Sequence, residues 1–397
     1  QTPMYGDVRI VDNNTGEVIN KTKIKLANIP ILTNRYSVII NGNEYQTVNQ
    51  FRLKPGVYTR EKTNGEIESV FNLAKGFNFK MVMHPKEGIF YLNAGNQNYH
   101  LYTILSALGV PDTEMRKAWG QELFIKNQKE GIGLEAKEIP LLFEKVRHKK
   151  LEVDKALEGL KSYFENDTSL DPETTKITLG KEFDRVNPSL LMETSRKLLK
   201  VVRREEPDDE RDSLIFKDLY TVSDLLHAHF DARKKLITQG IKYRLDTKTN
   251  PREIISPETF NKPVLDFFYK GELSSTPTQT NPVDILSEYK KTTIMGPGGV
   301  GTEHAITPEM RDVHPSHLGF VDPTATPESG AVGITLGLSV GAARTGERLK
   351  TRVRLKNGSI KTLTPYEAYN LKIGYPDQYE YKNGTVKPIS SHVKINY

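Results

Sequence analysis

Apolar and polar positions change period three times along the chain. Through roughly the first hundred residues the pattern is that of strands. Tyr36 to Val48, YSVIINGNEYQTV, is β-branched or aromatic on both sides of Asn41-Gly42. Asn-Gly suits a type I′ turn, in which both central residues need positive φ, and that turn places Val38 opposite Tyr45. QFRLKPGVY follows, with a second turn predicted at Pro55-Gly56. From about Tyr99 to Lys200 the period becomes helical. DTEMRKAWGQELF offers Asp112 as an N-cap, and PSLLMETSRKLLKVV opens on Pro188-Ser189 with Leu191, Leu198 and Val202 at helical spacing. Between them, Lys126 to Asp171 is rich in Lys and Glu and reads as surface-heavy. RREEPDDERD closes the region, and Pro207 forbids a regular helix through it. TVSDLLHAHFDARKKLITQGIKYRL predicts one long helix from Ser223 to about Gln239, stopped by Gly240. The tail returns to strands, with hairpins predicted around Asn357-Gly358 and Asn383-Gly384. The order is β, α, a loop system rich in Gly and Pro, then β: an α+β chain.

Composition adds to this picture. A chain of 397 residues suggests two or three modules. Hydrophobic content of 37% against 27% charged residues predicts much exposed surface for the mass: a several-lobed shape, or a subunit with surface given to partners. No run of 18 apolar residues predicts a transmembrane helix, no signal peptide is visible, and no membrane partner is expected. The absence of cysteine removes disulfides, thiolate chemistry and Cys-based zinc sites, and fits an intracellular protein. A chain opening on Gln1 fits a trimmed or processed start. Net charge is +6 with a pI near 9.0. Residues 341–397 hold 11 Lys and Arg against 4 Asp and Glu, so this last segment carries the whole excess. Such a basic surface neutralises phosphates and releases counterions, although a solvated basic face has the same composition.

Thr292 to Phe320, TTIMGPGGVGTEHAITPEMRDVHPSHLGF, holds the conspicuous motifs. Gly296, Gly298 and Gly301 fit G-x-G-x-x-G, but a dinucleotide turn needs a buried strand before it and a helix after it. EYKKTTIM reads as too polar for a central parallel strand, and Pro308 and Pro315 bar a regular helix beyond Gly301. A phosphate-cradling P-loop wants Gly-Lys-Ser/Thr, whereas Thr302-Glu303 follow Gly301. His314 and His317, with Asp312 and His304 nearby, suggest metal ligation, but Pro315 separates the pair and no fourth ligand has obvious spacing. Asp208, Asp209, Glu210 and Asp212 are interleaved with Arg203, Arg204 and Arg211, and predict a solvated, salt-bridged turn rather than a Mg²⁺ site. What remains is backbone: GPGG gives main chain able to press on another surface, with Lys290, Lys291, His304, Arg311, His314 and His317 close in sequence. The alternative is a tight turn packed on the protein's own core.

These words resemble a known family. GPGG, then RDVHPSHLG, then PTATPESGAVGI resembles the fork region of the β subunit of multisubunit DNA-dependent RNA polymerase. The pattern there runs approximately G-P-G-G, R-D-V-H-P-S/T-H-x-G and P-x-x-T-P-E-G-x-x-x-G-L. VIINGNEYQTVNQFRLKPGVY, PDDERDSLIFKDLYTVSDLL and FFYKGELSSTPTQTNPVDILSEYKK are similar to other β segments, so the likeness runs from about Leu32 to Leu338. It implies the first segment of the protrusion over residues 1–105 and a reduced helical lobe over 106–205. The second segment of the protrusion and the fork would follow over 206–340, and a basic β-rich start of the next module over 341–397.

The same likeness implies a function. The chain is expected to be the N-terminal part of β in a DNA-directed RNA polymerase, a nucleotidyltransferase, positioning template DNA and the RNA–DNA hybrid. No residue of this chain is expected to be catalytic or to bind metal. The cofactor would be Mg²⁺, held by a partner subunit, and the chain alone would be inert. Gly298, Gly299 and His304 would lie where downstream DNA separates. Lys290, Lys291 and Arg311 would lie near the hybrid or brace that wall, His314 would also bind nucleic acid, and Glu328 would fall close to the RNA 3′ end. Partners would be the C-terminal β part, β′ parts, DNA template and RNA transcript, in a set that can include a specificity factor. The chain also resembles the split β subunits of giant bacteriophages, implying the host cytoplasm, or a virion, as its location. Departures at Thr302, His304 and Ala331 agree with divergence. Ser275, Thr276, Thr278, Glu288, Lys291 and Thr293 stand where the family's rifampicin pocket has Gln, Phe, Asp, His, Arg and Ser, which implies insensitivity to that drug. The competing reading is a stand-alone basic nucleic-acid-binding protein.

Overall fold

Strands that alternate buried and half-buried side chains, and helices with one apolar stripe, build an α+β structure. The computed structural model describes residues 1–389 except 13, 63, 85, 279, 356, 372, 375–377 and 384. The chain divides into two units, one of Gln1–Arg52 with Ser213–Tyr397 and one of Leu53–Asp212.

In the unit Leu53–Asp212, five strands form an antiparallel meander: Gly56–Glu61, Ile67–Asn72, Phe79–His84, Ile89–Ala94 and Gln97–His100. Phe79, Met81 and Met83 alternate inward along their strand, and Phe71, Phe90 and Leu92 share that core. Helices Asp112–Trp119, Gln121–Gly131, Glu135–Arg147, Val153–Asn166 and Pro188–Val202 supply Trp119, Phe124, Leu142, Leu160 and Leu198 to it. Trp119 is buried with its Nε1 donating to Ser195 Oγ at 2.9 Å, so the indole meets the core without an orphaned donor. The last helix starts where the pattern requires. Asn187 accepts from Leu190 N, and Pro188 occupies the first turn, where its missing N–H costs nothing. The expected boundary at residue 105 falls inside this unit, in the helix Leu101–Ala107.

Several local expectations change here. Asp112 is the first helical residue rather than the cap; its carboxylate accepts from Tyr102 Oη and Gln128 Nε2. The Lys- and Glu-rich stretch is not only surface, because its two helices turn Ile139, Phe143, Ala156 and Tyr163 inward. The acidic turn is exposed at Asp208 and Glu210 and salt-bridged, as expected, but Asp209 departs from that expectation. Asp209 is buried against the sheet's edge strand: its N–H donates to Thr59 O at 2.8 Å, and its Oδ2 accepts from Thr59 N at 2.8 Å. Exposed strand edges attract other chains, and this turn covers one.

The other unit is built around a second sheet, in the order Lys217–Tyr220, Asn49–Leu53, Lys291–Thr293, Thr335–Leu338, Val321–Asp322. Phe51, Leu219, Phe320 and Leu336 form its core together with Leu349 and Leu363 of the three-stranded tail sheet. The Asn41-Gly42 hairpin pairs Val38 with Tyr45, as the turn chemistry predicts, with φ of 50° and 87° at the two turn residues. The hairpin at Asn357-Gly358 pairs Arg348–Arg354 with Ile360–Leu363. Strands Tyr379–Lys382 and Thr385–Pro388 also pair, while Gly384 of the predicted turn lies outside the described residues.

The long helix runs from Val222 to Thr247, through Gly240. Glycine costs about 1 kcal/mol in a helix interior, which tertiary anchoring offsets. Arg244, beyond it, donates from Nη1 to Ile254 O (2.9 Å) and Thr259 Oγ1 (2.8 Å). Among the described residues, no helix is long and apolar enough to cross a membrane.

Candidate nucleic-acid interface

The strand before the glycine loop is polar yet central, contrary to the expectation that EYKKTTIM could not be one. Lys291–Thr293 pairs in parallel with Asn49–Leu53 and antiparallel with Thr335–Leu338. Thr292 and Thr293 are 1% and 5% exposed. Their hydroxyls make the burial tolerable: Thr292 Oγ1 donates to Leu336 O at 3.0 Å, and Thr335 Oγ1 to Thr293 Oγ1 at 3.2 Å. The dinucleotide reading still fails, because short 3₁₀ turns at Glu303–Ala305 and Pro308–Arg311 follow Gly301 where a helix N-terminus is needed.

The GPGG loop is clamped from inside. Val300 N donates to Ile294 O and Gly299 N to Gly296 O, both at 2.9 Å, closing the turn on itself. Gln50 Nε2 donates to Met295 O at 2.7 Å, and Arg52 Nη2 to Pro297 O at 2.8 Å. Arg52 Nε also donates to Gln50 Oε1 at 2.7 Å, and the guanidinium lies 4.4 Å from the ring centroid of Tyr220. Burial lowers the Arg52 pKa from its ordinary value, while Tyr220 and Asp224 pull it back up. A side chain is excluded at two positions. Gly298 has φ of 83°, and a Cβ there would lie 2.7 Å from the Arg52 guanidinium carbon; at Gly299 it would lie 2.3 Å from Ile294 O. On the outer side, Pro297, Gly298 and Gly299 are exposed. The inner side of the loop thus packs on the protein's own structure, and its outer side leaves main chain exposed.

A second brace joins the loop after it to the PESG segment. Arg311 Nη1 donates to Gly330 O at 2.8 Å and Val332 O at 2.7 Å. Gly333, with φ of 74°, fits so closely that a Cβ would lie 2.4 Å from Arg311 O. Gly333 N donates to Thr326 Oγ1 at 2.9 Å, which folds the segment back on itself. Glu303 abuts Gly330, and His304 and Glu328 are exposed. His314 serves another part of the fold. Its Nδ1 accepts from Ser316 N at 3.0 Å, and Ser316 Oγ accepts from Leu214 N at 2.9 Å. Lys290 and Lys291 are half-buried, and Lys291 is ion-paired with Glu288. Of the positions where the resemblance implies a drug pocket, Glu288 is thus committed to that pair, and Thr293 is buried in the sheet. His314 and His317 have ring centroids 5.9 Å apart, but among the described residues no group of three or more His, Asp or Glu could hold a metal ion.

Residues 276–343 match the family described as RNA polymerase Rpb2, domain 3. The β subunit of the DNA-directed RNA polymerase of Gloeobacter violaceus is 25% identical over 429 residues, covering 99% of this chain and 37% of that protein. Those of Syntrophomonas wolfei and Synechocystis sp. are 27% and 25% identical over 355 and 353 residues. They cover 84% and 83% of this chain, and each alignment covers 32% of the relative. These likenesses support a β-subunit-type protein. The chain spans about a third of the length of the curated relatives it matches.

All eight expected interface positions, Lys290, Lys291, Gly298, Gly299, His304, Arg311, His314 and Glu328, fall inside the matched window 276–343. Gln50, Arg52 and Tyr220, which hold the loop, lie outside it, and the sequence reading does not single them out as site residues. Gln50 and Arg52 stand in VNQFRLKPGVY, one of the segments that carry the resemblance, and that is the signal available for them. Tyr220 stands in PDDERDSLIFKDLYTVSDLL, another such segment, but only the folded sheet brings it under Arg52.

Proposed function

We propose that this chain is the N-terminal part of the β subunit of a multisubunit DNA-directed RNA polymerase, and that its clamped glycine loop and Arg311 brace form a wall beside separated template and the RNA–DNA hybrid. The observation that carries the proposal is the match of residues 276–343 to the Rpb2 domain, over the same residues whose backbone is fixed from inside and left open outside. Its chemistry is positional. Gly298 and Gly299 admit close approach of a phosphodiester chain, Lys290 brings positive charge beside the Lys291–Glu288 pair, and Arg311 holds the segment carrying Glu328. In this reading, as the resemblance to β implies, Mg²⁺ and the bond-making step belong to a partner chain. Identity of only 25–27% to these bacterial relatives, with Thr302, His304 and Ala331 departing from the β pattern, supports a diverged member, which in this proposal is phage-encoded and acts in a host cell.

The test is purification of the tagged chain from cells in which its source is growing, followed by mass spectrometry and transcription assay. Co-purified polypeptides with the remaining β and β′ regions, and Mg²⁺-dependent RNA synthesis by the assembly alone, are expected. The same spectra show whether the rest of β is a separate polypeptide. A monomer that binds nucleic acid without such partners would replace this reading with that of an independent binder.

A further inference from the structure

The three-stranded tail sheet shares a core with the fork, and its outer face has no role in that wall. Strand Arg348–Arg354 pairs with Ala342–Thr345 on one side and Ile360–Leu363 on the other. Leu349 and Thr351 are buried and Val353 packs on the core, so alternation turns Arg348, Lys350, Arg352 and Arg354 to the opposite face. Thr351 Oγ1 donates to Gly319 O at 2.7 Å, which holds that orientation against the RDVHPSHLG segment. The cross-strand partners of the four cations, in order, are Thr345, Ala343, Thr362 and Ile360. None is acidic, and all four are exposed. Arg352 and Arg354 are exposed too, and the Arg354 guanidinium lies 4.8 Å from the ring centroid of the exposed Tyr381.

Like charges repeated along one strand face repel, and the register supplies no carboxylate across from Arg352 or Arg354, while Lys350 has Glu367 within electrostatic reach. Successive cations stand roughly 6.8 Å apart, two strand residues, which is the scale of a nucleotide step. Cations in a line with an aromatic beside them are the pattern on which single-stranded nucleic acid lays its backbone. We infer that Lys350, Arg352 and Arg354 form a second nucleic-acid contact, a track for the phosphate backbone of a single strand. The inference rests on the register of this sheet and not on the fork.

The test uses the full chain and a short fluorescein-labelled thymidine oligonucleotide, with anisotropy followed between about 50 and 200 mM salt. Lys350→Ser/Arg352→Ser/Arg354→Ser is expected to weaken binding at least about tenfold, and to reduce the slope of log K against log salt by about two, at roughly 0.7 per neutralised phosphate. Arg352→Lys/Arg354→Lys should keep both, because the track reads charge. Should the triple variant misfold, Arg352→Ser and Arg354→Ser alone are each expected to remove about 0.7 of slope. An unchanged slope in folded variants overturns the inference. Equal binding of poly-glutamate, lost in the same variants, would overturn it in favour of an acidic protein partner.

Discussion

Arg311→Ala is expected to release the Gly330–Val332 backbone while leaving the apolar cores intact. One guanidinium nitrogen satisfies two carbonyls, at 2.8 and 2.7 Å, in a segment that the Gly333–Thr326 hydrogen bond also ties back. Hydrogen bonds from a charged donor contribute about 1.5–3 kcal/mol each when sheltered. Arg311 is half-exposed, so a combined local loss of about 2 kcal/mol is reasonable, more than tenfold in the opening equilibrium. Hydrogen exchange of amides in residues 326–334 should accelerate by that factor, with the thermal melt of the chain almost unmoved. Gly333→Ala approaches the same joint from the other side, since its Cβ would press on Arg311 O at a position already at positive φ. In the polymerase assembly proposed above, Arg311→Ala is expected to slow elongation by tenfold or more. Faster exchange with normal elongation would make Arg311 a brace with no bearing on transcription. Unchanged exchange would remove the brace itself.

How far the sequence foretells this site depends on whether the deciding force is local. Turn chemistry is local. Asn41-Gly42 fixes its two-residue hairpin because few other residues accept both turn conformations, and Gly358, with φ of 82°, supplies the left-handed position of the second hairpin; register follows from each turn. The expected helix stop at Gly240 fails because a weak propensity yields to anchoring by Arg244 from the far side. Lys291–Thr293 looks too polar for a central strand because hydropathy does not count hydroxyl partners, and those partners lie more than forty residues away in sequence. The glycine loop is recognisable as a word, and its glycines are required, but the word does not say what presses on them. Arg52, Gln50 and Tyr220 reach the loop only after three strands distant in sequence have been placed side by side.

The acidic turn 207–212 shows the same limit, and its consequence is a pH dependence opposite to that of ordinary paired carboxylates. A run of Asp and Glu among arginines reads as solvated. In the structure the Asp209 side chain is only 8% exposed, because both its backbone and its carboxylate complete the edge of the sheet at Thr59. Lys197 Nζ lies 3.4 Å from Oδ1, but it is shared with Glu206 at 3.3 Å. Burial therefore prevails over Lys197 and the Thr59 N–H, and pushes the carboxyl from 3.8 up to about 6. Between those two values the folded state holds more protons than the unfolded state, so stability falls as pH rises. Above about pH 6 the full cost applies, on the order of 3 kcal/mol, and below pH 3.8 it vanishes. Asp209→Asn keeps an acceptor for Thr59 N and carries no charge to desolvate. Its stability should match that of the unsubstituted protein near pH 4, and exceed it by a margin that grows to about 3 kcal/mol by pH 7. The single tryptophan, Trp119, is buried in this same unit, so its fluorescence in urea titrations reports the transition concerned. If the stability difference between the two proteins stays constant from pH 4 to 8, the carboxylate is not desolvated by the sheet edge, and Lys197 has compensated it in full.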